Sequence, residues 1–212
     1  MKPMSKTFSN TYILLYITGL VIIIAVLLSA VSLGLKPQRE ANRQCEKARQ
    51  ILKAAGYGDV DKSEANALFA EVTRPEKSKT GREMYAIQCA DGSQGHVVYV
   101  NGKGLWGAIW GYVVLNEDNT TIKGVAFSHK SETPGLGAKI TEDDFSSSFI
   151  GKKLYDENGN FVSVKVIAKG KGNSIGLENR VDAISGATLT SRGVDEMMYN
   201  SLIEIMNNPN NQ

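Results

Sequence analysis

Residues 11–35 read TYILLYITGLVIIIAVLLSAVSLGL, twenty-five consecutive positions without a charge. As a helix the run would span about 37 Å at about 1.5 Å per residue. A bilayer's hydrocarbon core is about 30 Å thick, so the segment can cross it with some tilt. Tyr12 and Tyr16 stand at one end, where an interfacial aromatic belt is expected. Ala30-Val31-Ser32 has the small-x-small form of a signal-peptide cleavage site. The apolar part of a signal peptide is only about 7–15 residues long, however, so the run reads as an uncleaved transmembrane helix after a short tail, residues 1–10. Lys2 and Lys6 precede it and Lys36, Arg39 and Arg43 follow, so local charge does not select the side of the membrane.

The rest of the 212-residue chain has room for one ordinary domain. Its charges balance, and it carries no basic stripe, which excludes the electrostatic footprint of a nucleic-acid binder. Cys45 and Cys89 lack CxxC spacing, so neither zinc nor an iron–sulfur cluster is indicated. They read as two thiols, with a disulfide as the alternative in an oxidising compartment. No ligand cluster surrounds His96 or His129, and no metal centre is expected.

Coarse patterning predicts a helix over 36–55, ended by Gly56. A charged loop around Pro75 and Gly81 follows at 74–82. Residues 84–90 and 96–100 flank the turn signal Asp91-Gly92 and read as a hairpin; 109–115 and 121–128 flank 116–120 and read as another. A further strand is expected at 162–168. Helices are expected at 141–149, with Thr141 as N-cap, and at 191–206, where Val194, Met197, Met198, Leu202, Ile205 and Met206 recur at helical spacing. The class is α+β with mostly antiparallel strands: a helical lead-in at 36–82, then a single domain at 83–207.

Chemistry concentrates in Asp182-Ala183-Ile184-Ser185-Gly186-Ala187-Thr188-Leu189-Thr190-Ser191, four hydroxyl residues and a glycine ahead of a strong helix. A helix start offers N–H groups without internal partners and the positive end of the dipole, a setting that favours phosphate. On the residues alone, a polar loop and an ordinary N-cap are the simpler reading. No P-loop lysine, GxGxxG string or G-x-S-x-G elbow is present. A hydrolase using Glu132 and Asp144 as a carboxylate pair is a weak alternative, because a turn and a helix first turn explain both residues.

The string Asp-x-x-Ser-Gly-Ala-Thr-x-Thr resembles the flavinylation motif of the FMN-binding domain family. The resemblance implies a phosphoester between FMN and Thr190, made by a dedicated flavin transferase, with Ser185, Gly186, Ala187 and Thr188 holding the phosphate and ribityl chain. A second segment, Glu132-Thr133-Pro134-Gly135-Leu136-Gly137, resembles the loop that lies against the flavin in that family. By that resemblance Glu132, Thr133, Leu136 and Gly137 border the ring, with His129 just before them. Trp106 and Trp110 are candidates to pack nearby, though tryptophans more often serve cores and interfaces. Lys169 is a candidate phosphate contact, with a solvated lysine as the more ordinary reading.

Within this family the chain is similar to the covalent-FMN subunits of two kinds of membrane complex, the sodium-translocating NADH:quinone reductases and the Rnf electron-transport complexes. The run Gly104-Leu105-Trp106-Gly107-Ala108-Ile109-Trp110-Gly111-Tyr112 is nearer the former. The resemblance implies an electron-relay subunit of a complex that oxidises NADH, reduces a quinone and moves sodium ions. Its expected partners are a second FMN-carrying subunit and an iron–sulfur-containing membrane pair, with the FMN domain on the periplasmic side of a bacterial inner membrane. The alternative from another class is a membrane-anchored binding or assembly domain without cofactor. The span carries no charged side chain to line an ion path.

Overall fold

The computed structural model describes residues 9–77, 83–171 and 175–206. The chain divides into two compact units, Met1–Gln44 and Cys45–Gln212. The first unit contains helix α1, Asn10–Gly34, which has no buried residue. It is long and apolar enough to cross a membrane. Helix α2, Lys36–Ala54, begins in the first unit and ends in the second. Its buried residues, Cys45, Ala48, Ile51, Leu52 and Ala54, all belong to the second.

The second unit is built on a five-stranded antiparallel meander. Its strands are β1 (Thr73–Lys77), β2 (Glu83–Gln88), β3 (Gln94–Lys103), β4 (Ala108–Asn116) and β5 (Ile122–His129), in that spatial order. Both expected hairpins form, and their turns have side-chain causes. Asp91 accepts the Ser93 N–H at 3.1 Å, and Asp118 accepts those of Thr120 and Thr121 at 2.8 and 3.0 Å. These short acceptors satisfy the backbone where the ladder stops.

β4 is largely buried on both faces. Val113 and Leu115 face one core with Val98, Val100, Phe127, Phe149, Val194, Met197, Met198 and Leu202. Tyr112 and Val114 face the other with Ile51, Ala54, Ile87, Cys89, Val97 and Ala126. A strand buried on both faces alternates between two cores rather than between core and water. The covers are α2 and α3 (Lys62–Val72) on one face, and α4 (Asp143–Ser147) and α5 (Thr188–Met206) on the other. A parallel pair, β6 (Lys165–Ile167) and β7 (Arg180–Asp182), leads into α5.

Several expectations change. Residues 74–77, expected in a loop, belong to strand β1, where Pro75 pairs with Tyr85. β1 is an edge strand, the one setting in a sheet where the missing proline N–H is tolerated. The remainder of that expected loop, 78–82, lies outside the described residues. The strand expected at 162–168 shortens to β6. Thr141 is not an N-cap: its hydroxyl donates to the Ala138 carbonyl at 3.0 Å, inside a 3-10 turn, and the short α4 starts after Glu142. α5 starts at Thr188, not Ser191, because the Ser191 N–H already bonds the Ala187 carbonyl at 2.9 Å. The compact unit holding the sheet begins at Cys45. Gly56, with φ +90°, closes α2 as expected, the Tyr57 N–H reaching the Leu52 carbonyl.

Candidate functional site

The packing of α5 on β3 sets the site. Gly193 lies so close to the strand that a Cβ there would collide with the Lys103 carbonyl oxygen. This approach brings the first turn of α5 beside the turn at 104–107, which is closed by the Gly104 N–H on the Gly107 carbonyl at 2.8 Å. The earlier start of α5 puts Thr190 in that first helical turn, where it is 1% exposed.

The Thr190 hydroxyl donates to Glu132 Oε2 at 2.6 Å. Glu132 is itself only 4% exposed. Its other oxygen accepts the backbone N–H groups of Trp106 and Gly107 at 2.8 and 3.3 Å. The Glu132 N–H donates to His129 Nδ1 at 3.2 Å, and the Ser131 hydroxyl to the Trp106 carbonyl at 3.2 Å. Burial pushes the Glu132 carboxyl up, but the bonds from Thr190, Trp106 and Gly107 and the proximity of His129 outweigh it. The group is held below its ordinary value, as a carboxylate.

Gly137 covers the pair. A Cβ at Gly137 would fall 2.5 Å from Glu132 Oε2 and 2.6 Å from Thr190 Oγ1, so only glycine lets the 133–137 loop lie there. Within that loop Thr133 accepts the N–H groups of Leu136 and Ala138 through its carbonyl, both at 3.1 Å. Leu136 lies against Gly186, so the two sequence segments meet a second time.

The structure therefore gathers Thr190, Glu132, Gly137, Leu136, Gly186 and His129. Ser185 and Gly186 belong to the turn before α5, Ala187 is buried, and Thr188 is exposed at the helix start. The Ser191 hydroxyl is engaged in accepting the Ile184 N–H at 3.1 Å. Leu105, Trp106, Leu136 and Leu189 flank the hydrogen-bonded residues and remain exposed, Trp106 at 68%. Trp110 is half-buried within β4, and Lys169 is exposed in the turn after β6. Asp144 is exposed on α4, whereas Glu132 is buried and tied to Thr190, so the two make no matched carboxylate pair.

Sequence patterns did not reveal the two backbone donors at Trp106 and Gly107. A backbone N–H carries no residue-type signal; the flanking Gly104 and Gly107 were the one hint. His96 is bound to Glu76 at 3.0 Å, away from this cluster. Cys45 and Cys89 are both buried free thiols. Among the described residues no group of His, Cys, Asp and Glu is fit to hold a metal ion.

The family described as FMN-binding domain matches residues 104–203, a span that contains every residue of this cluster. The chain is 30% identical to the C subunit of the Na(+)-translocating NADH-quinone reductase of Neisseria meningitidis serogroup A, over 89% of its own length and 87% of the relative's. It is 28% identical to the corresponding C subunit of Vibrio vulnificus, over 84% and 85%. Among solved structures, the Parabacteroides distasonis C subunit superposes with a TM-score of 0.72 at 33% identity, covering 83% of this chain and 98% of that one. NqrC of Shewanella oneidensis gives 0.64 at 26% identity, covering 76% and 93%. Agreement in sequence, fold and length means that this chain belongs to the family of the C subunit of the Na(+)-translocating NADH-quinone reductase.

Proposed function

We propose that the chain is a membrane-anchored electron relay that carries FMN as a phosphoester on Thr190, inside an NADH:quinone oxidoreductase that moves sodium ions. The observation that carries this reading is the Thr190 hydroxyl itself. It sits in the first turn of a 19-residue helix, bonded to a buried carboxylate and bordered by exposed apolar side chains.

The residues present fit the group. The N-terminal turn of α5 offers unpaired N–H groups and the positive dipole end to a phosphate. Ser185 and Thr188 stand beside it, and Gly186 and Ala187 add no bulk. Leu136 and Trp106 give a flat ring apolar surface, as do Leu105 and Leu189, whose exposure is otherwise without benefit to a water-facing domain. Thr133 and Gly137 border the same space, and His129 stands behind the loop, its Nδ1 fixed by the Glu132 N–H.

FMN supplies the ability to accept and pass electrons one at a time. The chain's own residues tether, orient and surround it. The membrane helix keeps the domain beside its partners: an iron–sulfur-containing membrane pair on one side of the relay and a second FMN-carrying subunit on the other. In this reading α1 lies in a bacterial inner membrane, the domain faces the periplasm, and a flavin transferase loads Thr190.

Peptide mass spectrometry on protein co-produced with a flavin transferase tests the assignment. The Thr190 peptide should gain the mass of FMN minus water, and Thr190→Val should abolish the gain. An unmodified peptide, in cells that flavinylate a control protein, would leave a cofactor-free anchored domain as the reading to adopt.

A further inference from the structure

We infer that Glu132 is the proton acceptor for attachment at Thr190: its carboxylate takes the hydroxyl proton as the threonine oxygen attacks the flavin phosphate. This rests on the covalent reading above and adds to it a residue that acts on the acceptor side.

Geometry carries the inference. The 2.6 Å separation lies in the range of a charge-assisted O–H···O⁻ bond. Because the hydroxyl proton points at Glu132, the oxygen's lone pairs are left for phosphorus. Glu132 is fixed from behind by the N–H groups of Trp106 and Gly107, in a turn separate from the covering loop. Gly137 lies over the hydroxyl, so the 133–137 loop has to lift before a phosphate can reach it. The carboxylate need not move when it does.

The atoms balance as follows. A bond forms between Thr190 Oγ1 and the flavin's phosphorus. The phosphorus–oxygen bond to the rest of the donor breaks, the leaving phosphate takes that electron pair, and the proton goes to Glu132 Oε2. Nothing is oxidised or reduced. A simple phosphate monoester would have to expel hydroxide or oxide, so the donor must be a flavin held in a phosphoanhydride. In phosphoryl transfer the nucleophile's proton is accepted without a strong base, as the carboxylate of protein kinases does for their hydroxyl substrates. A carboxylate of ordinary or lowered basicity therefore suffices.

The test is the rate of flavin incorporation into the detergent-solubilised full chain by a flavin transferase with flavin adenine dinucleotide as donor, measured across acceptor concentrations. Glu132→Gln should slow the saturated rate by about 100-fold or more, the scale of lost general-base catalysis, with the half-saturating acceptor concentration unchanged. A merely structural role would instead move the half-saturation. Glu132→Gln flavinylated at the wild-type saturated rate overturns the inference while leaving Thr190 as the attachment site. Wild-type protein that takes no flavin removes the covalent reading itself. Should Glu132→Gln fail to fold, Glu132→Asp decides: drawing the carboxylate back by one methylene should cost about 100-fold, and an undiminished rate overturns the inference.

Discussion

At the scale of single residues, the site turns on one carboxylate with three donors. Glu132 receives the Thr190 hydroxyl and two backbone N–H groups, and these hold its folded-state pKa below the ordinary 4.5. A depressed pKa stabilises the fold above the unfolded value, and that contribution is lost as pH falls through the folded one. Denaturant unfolding of the flavin-free protein should therefore show a gap between wild type and Glu132→Gln that is full at pH 7 and narrows below about pH 4.5. Glu132→Ala at neutral pH should cost about 1–3 kcal/mol, because it strands the donors it served. A wild-type advantage that stays constant down to about pH 3 would mean that the ionised carboxylate contributes nothing to folding. Both partners of the key bond were legible in the sequence, each through its own segment. Their direct contact was not, since 58 residues separate them and only the packing of α5 against β3 closes that gap.

At the scale of elements, α5 and β3 are matched by small residues rather than by large ones. Gly193 has the Lys103 carbonyl where a Cβ would go, and a Cβ at Gly102 would fall 2.8 Å from Met197 Cβ. Gly193→Ala removes a poor helix former, which alone would favour α5 by about 1 kcal/mol. The collision is with backbone, however, so the helix has to shift, and overpacking of this kind costs about 1–3 kcal/mol. The variant should have a lower thermal midpoint than wild type and should incorporate less flavin, because Thr190 rides on the displaced turn. A raised midpoint would show that helix propensity outweighs the contact. The same elements mark how far sequence patterns reach. Both hairpins, α2 with its Gly56 stop and the apolar body of α5 were readable, because turn residues and helical periodicity announce them. β1 was not, since Pro75 signals a loop and only pairing with β2 makes it a strand. The first turn of α5 was not either: Thr188, Leu189 and Thr190 fall outside the apolar stripe, and the tertiary bond to Glu132 occupies the third of them.

At the scale of the whole molecule, the two compact units differ in what covers their apolar surface. No residue of α1 is buried, so this helix is not packed into a core within the chain among the described residues. The Cys45–Gln212 unit covers both faces of its sheet with its own helices and contains Thr190, Glu132 and the loop at 133–137. Its core includes no residue of the apolar run, which is long and apolar enough to cross a membrane. Deleting residues 1–35 should therefore yield a protein soluble without detergent. It should unfold in one cooperative transition, with a stability within about 0.5 kcal/mol of the full chain's domain, the range of changes that touch no packed feature. Given transferase and donor in solution, it should still gain flavin mass on Thr190, because every residue assigned to the site is retained. A shortened chain that aggregates, or that folds yet takes no flavin, would make the membrane helix part of the folding or loading of the domain, and not only its tether.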